Sequence, residues 1–339
     1  MQTPAFDFGE AIGHFFKTLG RRPGAVFWVA FCNAILFSVF TGLILWLIAP
    51  GYLNMLDVAM SGGDPTPDDV WELVGPVFAV VPLSFIGGIL VALMAQGAWL
   101  RLLVRDEVAP GIPFRLGGDE FRLLAVNIVF IVIAIALYIL TLGIGIGLAV
   151  AVGVSEGGAG AGALAGLGGG LLVIGAIVLA VFLAVRLSAA PALTVLDRRV
   201  RVFDAMPATR GIFWWLVLTY IVMVIIIFAA QSVLGTMIQF LFLGAFMPMM
   251  FEFAMMAEST NPEPTAILDM LREQLSEPGT MVMLGAGLFL SLFLQTLTEG
   301  AWHSVGAYTA RRHRASAADV PPPVDAADTP PPATATEPE

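Results

Sequence analysis

Six predominantly apolar runs, at residues 24–49, 76–103, 123–152, 169–195, 212–234 and 280–309, dictate what this chain can become. A bilayer core of about 30 Å takes about twenty apolar residues of helix, and every run meets that length. Barrel strands are about ten residues long and alternate in polarity, which these runs do not. Charged residues make up only 12% of the chain, too few to clothe so much apolar sequence in water. The expected fold is an all-α integral membrane protein with six transmembrane helices.

The basic residues agree with that topology, although they played no part in drawing it. Lys17, Arg21 and Arg22 precede the first run, and Arg101, Arg105, Arg115 and Arg122 sit at the second connection. Arg186, Arg198, Arg199, Arg201 and Arg210 flank the fourth connection, and Arg311, Arg312 and Arg314 follow the last run. With both termini in the cytoplasm, these fifteen of sixteen Lys and Arg residues lie inside and Arg272 alone lies outside. The positive-inside rule favours that orientation. The outer connections then hold twelve acidic residues, among them Glu252, Asp269, Glu273 and Glu277. Such a face repels nucleic acid, which is excluded as a partner there. The inner face suits membrane lipids with anionic headgroups, each basic residue near the surface contributing about 1 kcal/mol.

Three parts follow: residues 1–23 as a cytoplasmic amphipathic segment, 24–310 as the membrane domain, and 311–339 as a Pro/Ala-rich tail. In the first, Phe8, Ile12, Phe15, Phe16 and Leu19 recur at three- and four-residue spacing. That spacing puts them on one face of a helix suited to lie in the interface. The tail, with prolines at 321–323 and 330–332, has too few large apolar residues to fold. Cys32 falls inside the first run and makes no intrachain disulfide. That run is too long for a cleaved signal segment. The spacings of Gly143 with Gly147 and of Gly166 with Gly170 predict close helix approach.

A faint repeat organises the chain further. Partly polar segments at 6–19, 113–124 and 202–213 precede the odd-numbered spans, so the chain reads as three hairpins, each preceded by a short cytoplasmic interfacial helix. Spans two and six also end alike, in Gln96-Gly97-Ala98-Trp99 and Glu299-Gly300-Ala301-Trp302. After span five, residues 237–256 remain apolar. A seventh span there would carry Arg311, Arg312 and Arg314 outside, so they read as an extension that bends at Gly235 or Pro248.

Intramembrane polar residues mark the candidate site, because burying them in lipid is expensive. Arg186 and Glu299 lie near the same ends of spans four and six and are expected to pair. His303 follows Glu299 by four residues, on the same helical face. Asn33, Asn127, Gln231, Gln239 and Gln295 are expected to hydrogen-bond between helices. The carboxylates Asp106, Glu107, Asp119 and Glu120 read as local charge balance beside Arg105 and Arg122. Three histidines and one cysteine show no metal-ligand spacing. No P-loop, nucleophile elbow or H-E-x-x-H occurs, so neither catalysis nor a cofactor is expected.

The stretch Arg186-Leu187-Ser188-Ala189-Ala190-Pro191-Ala192, followed by Phe203, Ala205 and Thr209-Arg210-Gly211-Ile212-Phe213-Trp214, resembles the membrane-domain family associated with bacterial glycerophosphoryl diester phosphodiesterases. The resemblance extends over roughly residues 5–310. It implies a six-span protein of a bacterial inner membrane. Because no catalytic domain follows the membrane region, it implies no phosphodiesterase activity. The expected role is a non-catalytic envelope scaffold with an unknown protein partner. The alternative is a small-molecule or lipid transporter with its site near Arg186, Glu299 and His303.

Overall fold

The computed structural model describes residues 6–61, 66–109, 111–154, 159–257 and 264–318. The tail from 319 onward and the loop tips at 62–65, 155–158 and 258–263 lie outside the described residues, as do the side chains of 161–167, Gly166 among them. All regular structure among the described residues is helical. Helix α1 covers Phe8–Arg21 and leads into α2 at Pro23–Ser61; α3 at Pro67–Leu100 runs into a π-helical turn at Arg101–Arg105. Then come α4 at Gly118–Val154, α5 at Ala159–Leu187, the short α6 at Ala190–Asp197 and the single turn α7 at Ala205–Ala208. Helices α8 at Phe213–Ala257, α9 at Pro264–Ser276 and α10 at Pro278–Ala318 complete the chain.

Six stretches are long and apolar enough to cross a membrane: Pro23–Leu56, Val80–Arg105, Gly118–Gly147, Gly168–Asp197, Phe213–Gly244 and Pro278–Ser316. They pair as α2 with α3, α4 with α5, and α8 with α10, which makes three hairpins. In the third and fourth stretches only 11% of the apolar window is buried by protein. Lipid must cover the rest, since large side chains such as Val132, Tyr138, Leu171 and Val178 face outward. The chain is therefore an all-α polytopic membrane protein.

Most of the protein's own core gathers at the end of the bundle that carries the basic residues. Trp99, Leu100, Leu102, Leu103, Leu123, Leu193 and Leu216 are fully buried there. Helix α10 is the shared partner, touching α1, α2, α3, α6 and α8. The two like-ended motifs meet at this place: a Cβ on Gly300 would lie 2.8 Å from the Trp99 ring, so only glycine lets α10 approach that indole. Trp302, the second motif's indole, packs on Tyr220 with ring centroids 4.8 Å apart.

Helix α1 begins at Asp7, whose side chain caps it by accepting from the Glu10 amide at 2.9 Å. Its buried face is Ala11, Phe15 and Thr18, while Phe16 and Lys17 are exposed. Phe15 packs against Trp99 at 6.1 Å.

The apolar stretch after span five is an extension of that span, as expected, since α8 runs to Ala257; three other expectations need correction. Only the first hairpin has a separate helix of useful length before it. Residues 106–109 and 111–117 are irregular, with Asp106 left-handed at φ 59° and Gly111 at φ 80°; the segment 202–212 before α8 holds only the single turn α7. Gly211, at φ 78°, stops α7 from running on into α8, and Asp106 and Gly111 hold the earlier connection out of helical geometry. Among the described residues nothing lies within 4 Å of a Cβ added at Gly143, Gly147 or Gly170, so no close helix approach is seen at these three glycines. Finally, α10 continues past residue 310 to Ala318, carrying Arg311, Arg312 and Arg314 on its last turns. Cations there complement the helix dipole, and Arg314 Nε donates to Asp197 at 2.7 Å.

Candidate functional site

The deepest charges are a pair that sequence spacing did not single out. Arg101 is 3% exposed and Glu120 1% exposed, and Arg101 Nη1 donates to Glu120 Oε1. Arg101 Nη2 also donates to the Pro113 carbonyl at 3.1 Å, and the Gly117 amide donates to Glu120 Oε2 at 3.0 Å. A Cβ on Gly97 would come within 2.6 Å of Glu120 Oε1, so a glycine one turn before Arg101 makes room for the carboxylate. Next to it, Arg105 grips Asp119 with bonds of 2.9 and 3.3 Å and donates to the Val195 carbonyl. Asp119 also accepts from Arg122 at 3.0 Å. Both carboxylates occupy the first turn of α4, where the helix dipole favours negative charge. The network ties the end of α3 and the start of α4 to α6. Reading Glu120 as simple charge balance beside Arg122 was incorrect; its partner is Arg101, embedded between Leu100 and Leu102. That lone charge inside a run of large apolar residues was the available signal.

Of the three residues expected to form the site, Glu299 and His303 meet, with Oε1 3.5 Å from Nε2. Arg186 does not join them. Its guanidinium lies over the Phe182 ring at 6.0 Å, and Phe182 in turn packs on Phe213 at 5.3 Å. The helical phase of α5 turns Arg186 toward the beginning of α8, away from Glu299.

Between the α4–α5 hairpin and the α8–α10 hairpin lies a crevice of ≈ 720 Å³. Pro191 shapes its floor. It has no N–H to give Leu187, so α5 stops and the chain restarts as α6 beneath the opening. Ser188 at the break donates to the Val185 carbonyl at 2.8 Å. The Thr209 hydroxyl, 3.1 Å from the Arg186 carbonyl, holds the other side of the break. Leu187, Ser188, Pro191 and Ala192 thus build this floor.

The crevice is graded in polarity. Toward the basic end it presents Gln96, Asn127, Ser188, Tyr220 and His303. The Asn127 amide donates to Gln96 Oε1 at 3.1 Å, linking α4 to α3. Further along α4 and α5 the walls become Phe130, Ile133, Leu137, Ala180 and Leu183. Ala134, Val181 and Ala184 line the crevice yet are exposed on the bundle's outer surface, so it opens sideways. Ligand sites commonly occupy about 300–1,000 Å³, and this volume falls within that range.

The remaining polar residues are dispersed. Gln231 reaches Thr298 at 3.4 Å, and Gln239 and Gln295 share a shallower groove with it between α8 and α10. Asn33 is fully buried with neither amide atom hydrogen-bonded, contrary to its expected role between helices. Among the described residues, no three His, Cys, Asp or Glu side chains gather closely enough to hold a metal ion.

The chain is thus a polytopic membrane protein with a sideways-opening, polarity-graded crevice among its described residues. No protein-family model, curated protein or solved structure matches this chain.

Proposed function

We propose that this chain is a non-catalytic membrane protein that takes up a lipid-like amphiphile from the surrounding bilayer through the crevice between α4–α5 and α8–α10. The observation that carries this reading is the crevice itself: polar at the end near the basic residues, apolar along its length, and open sideways at Ala134, Val181 and Ala184. An amphiphile has the same gradient, so its head meets hydrogen-bonding groups while its chain leaves between apolar walls into lipid. Ordinary solutes would have to cross the apolar part.

The basic end belongs at the cytoplasmic face, since the positive-inside rule would otherwise be broken by fifteen residues. The membrane is then a bacterial inner membrane, with the resemblance to the phosphodiesterase-associated membrane domains in support. A scaffold built on the same bundle would bind its protein partner on outer helix faces; the crevice ranks lipid handling first.

Protein extracted with its native lipids and sprayed intact into a mass spectrometer tests the reading. A retained amphiphile that Ala184→Trp displaces is expected. Identical spectra for the two proteins would count against uptake through this opening. Ala184 is already exposed, so the added indole need not disturb the core.

A further inference from the structure

We infer that the amphiphile has an uncharged, hydrogen-bonding head, such as the free hydroxyl of a diacylglycerol, and not a phosphate. This rests on the crevice being the lipid site. No Lys or Arg lines it. Arg186, the cation nearest in sequence to its walls, is turned onto Phe182. The buried cations at this end are already matched, Arg101 with Glu120 and Arg105 with Asp119. His303 is the one lining imidazole, and Glu299 stands 3.5 Å from it. A phosphate entering here would lose water and gain no cation in return.

What the crevice does supply is amide and hydroxyl chemistry. Gln96 and Asn127 bond to each other through one donor and one acceptor, leaving the Asn127 carbonyl oxygen and the Gln96 amide hydrogens to address a ligand. The Ser188 hydroxyl donates to the Val185 carbonyl and is also hydrogen-bonded to the Tyr220 hydroxyl, so this pair offers a ligand one remaining lone pair on Ser188 and the acceptor side of Tyr220. Such a set satisfies a hydroxyl, which both donates and accepts, and a neighbouring ester carbonyl, which accepts, without burying a net charge.

The test uses the full chain in nanodiscs doped with one of two photoactivatable lipids, a diazirine diacylglycerol or a diazirine phosphatidylglycerol, followed by peptide mapping of the crosslinks. The diacylglycerol is expected to label crevice peptides of α4, α5 and α10 about tenfold more than the anionic lipid. Ala184→Trp and Asn127→Leu should each abolish that labelling while leaving labels on the outer face of α2 unchanged. The α2 labels serve as the check that both variants are folded and embedded. Equal or stronger crevice labelling by phosphatidylglycerol overturns the uncharged-head inference and leaves the amphiphile reading standing. Crevice labelling by neither lipid above the level on α2 overturns both.

Discussion

Replacing Glu120 by alanine should destabilise the protein far more than replacing Glu120 and Arg101 together. The pair is all but inaccessible, at 1% and 3% exposure. Glu120→Ala strands a guanidinium in the core and frees the Gly117 amide, and breaking such a pair costs about 3–5 kcal/mol. Arg101→Met strands the carboxylate instead, at a similar cost of about 3–5 kcal/mol. In the double variant Arg101→Met/Glu120→Ala no ion is left to desolvate. Only the Gly117 amide and the Pro113 carbonyl lose partners, about 1 kcal/mol each, and better apolar packing offsets part of that. The single losses then sum to roughly 6–10 kcal/mol against about 0–2 for the double, a coupling of several kcal/mol. Reversible unfolding in mixed micelles, followed by tryptophan fluorescence, measures all four corners of the cycle; Trp99 lies in the same core. Single variants within about 0.5 kcal/mol of the parent, or a double variant as damaged as the sum, would refute the reasoning.

Three further outcomes are expected. Gly300→Ala pushes a methyl into the Trp99 ring and should cost about 1–3 kcal/mol by overpacking, whereas Gly143→Ala, with open space around it, should stabilise by about 0.5–1 kcal/mol; the same unfolding assay compares them. Burial holds the His14 imidazole below its ordinary value of 6.5, helped by the nearby Arg311 and Arg21 and opposed by its bond to the Leu103 carbonyl at 3.2 Å and by Glu10. Its proton is therefore bound more tightly in the unfolded chain, so this contribution to stability is complete above about pH 6.5 and falls as the pH drops below it; thermal melts between pH 8 and 5 should show the loss, and His14→Gln should flatten it. In a Cys32→Ser background, an impermeant maleimide added to intact cells should label a cysteine placed at Glu273 but reach one at His313 only after permeabilisation; the reverse would invert the orientation.

The spans were legible because each carries its own signal, an apolar run of membrane length, and needs no knowledge of its neighbours. The paired Gly-Ala-Trp motifs were visible too, although not that Trp99 of one would rest on Gly300 of the other. What the sequence hid depends on helical phase and on closure through irregular chain. Arg101 finds Glu120 only because the chain leaves the helix at the left-handed Asp106 and returns beside it at Pro113 and Gly117, a path that no periodicity reports. Arg186 and Glu299 sit at matching depths, and depth suggested a pair; phase sent Arg186 to Phe182 and left Glu299 with His303. The crevice is harder still, since it is a space between two hairpins. Its one local trace is Pro191, which breaks the span and sets the floor.

The most direct test of lateral amphiphile uptake is a density map of the protein embedded in its native lipids by electron cryomicroscopy. Elongated density with its head beside Gln96, Asn127 and Ser188 and its chain passing Ala134 and Ala184 into the bilayer is the predicted result. A bundle in which α4 and α5 close directly against α8 and α10, leaving no room between them, would contradict it.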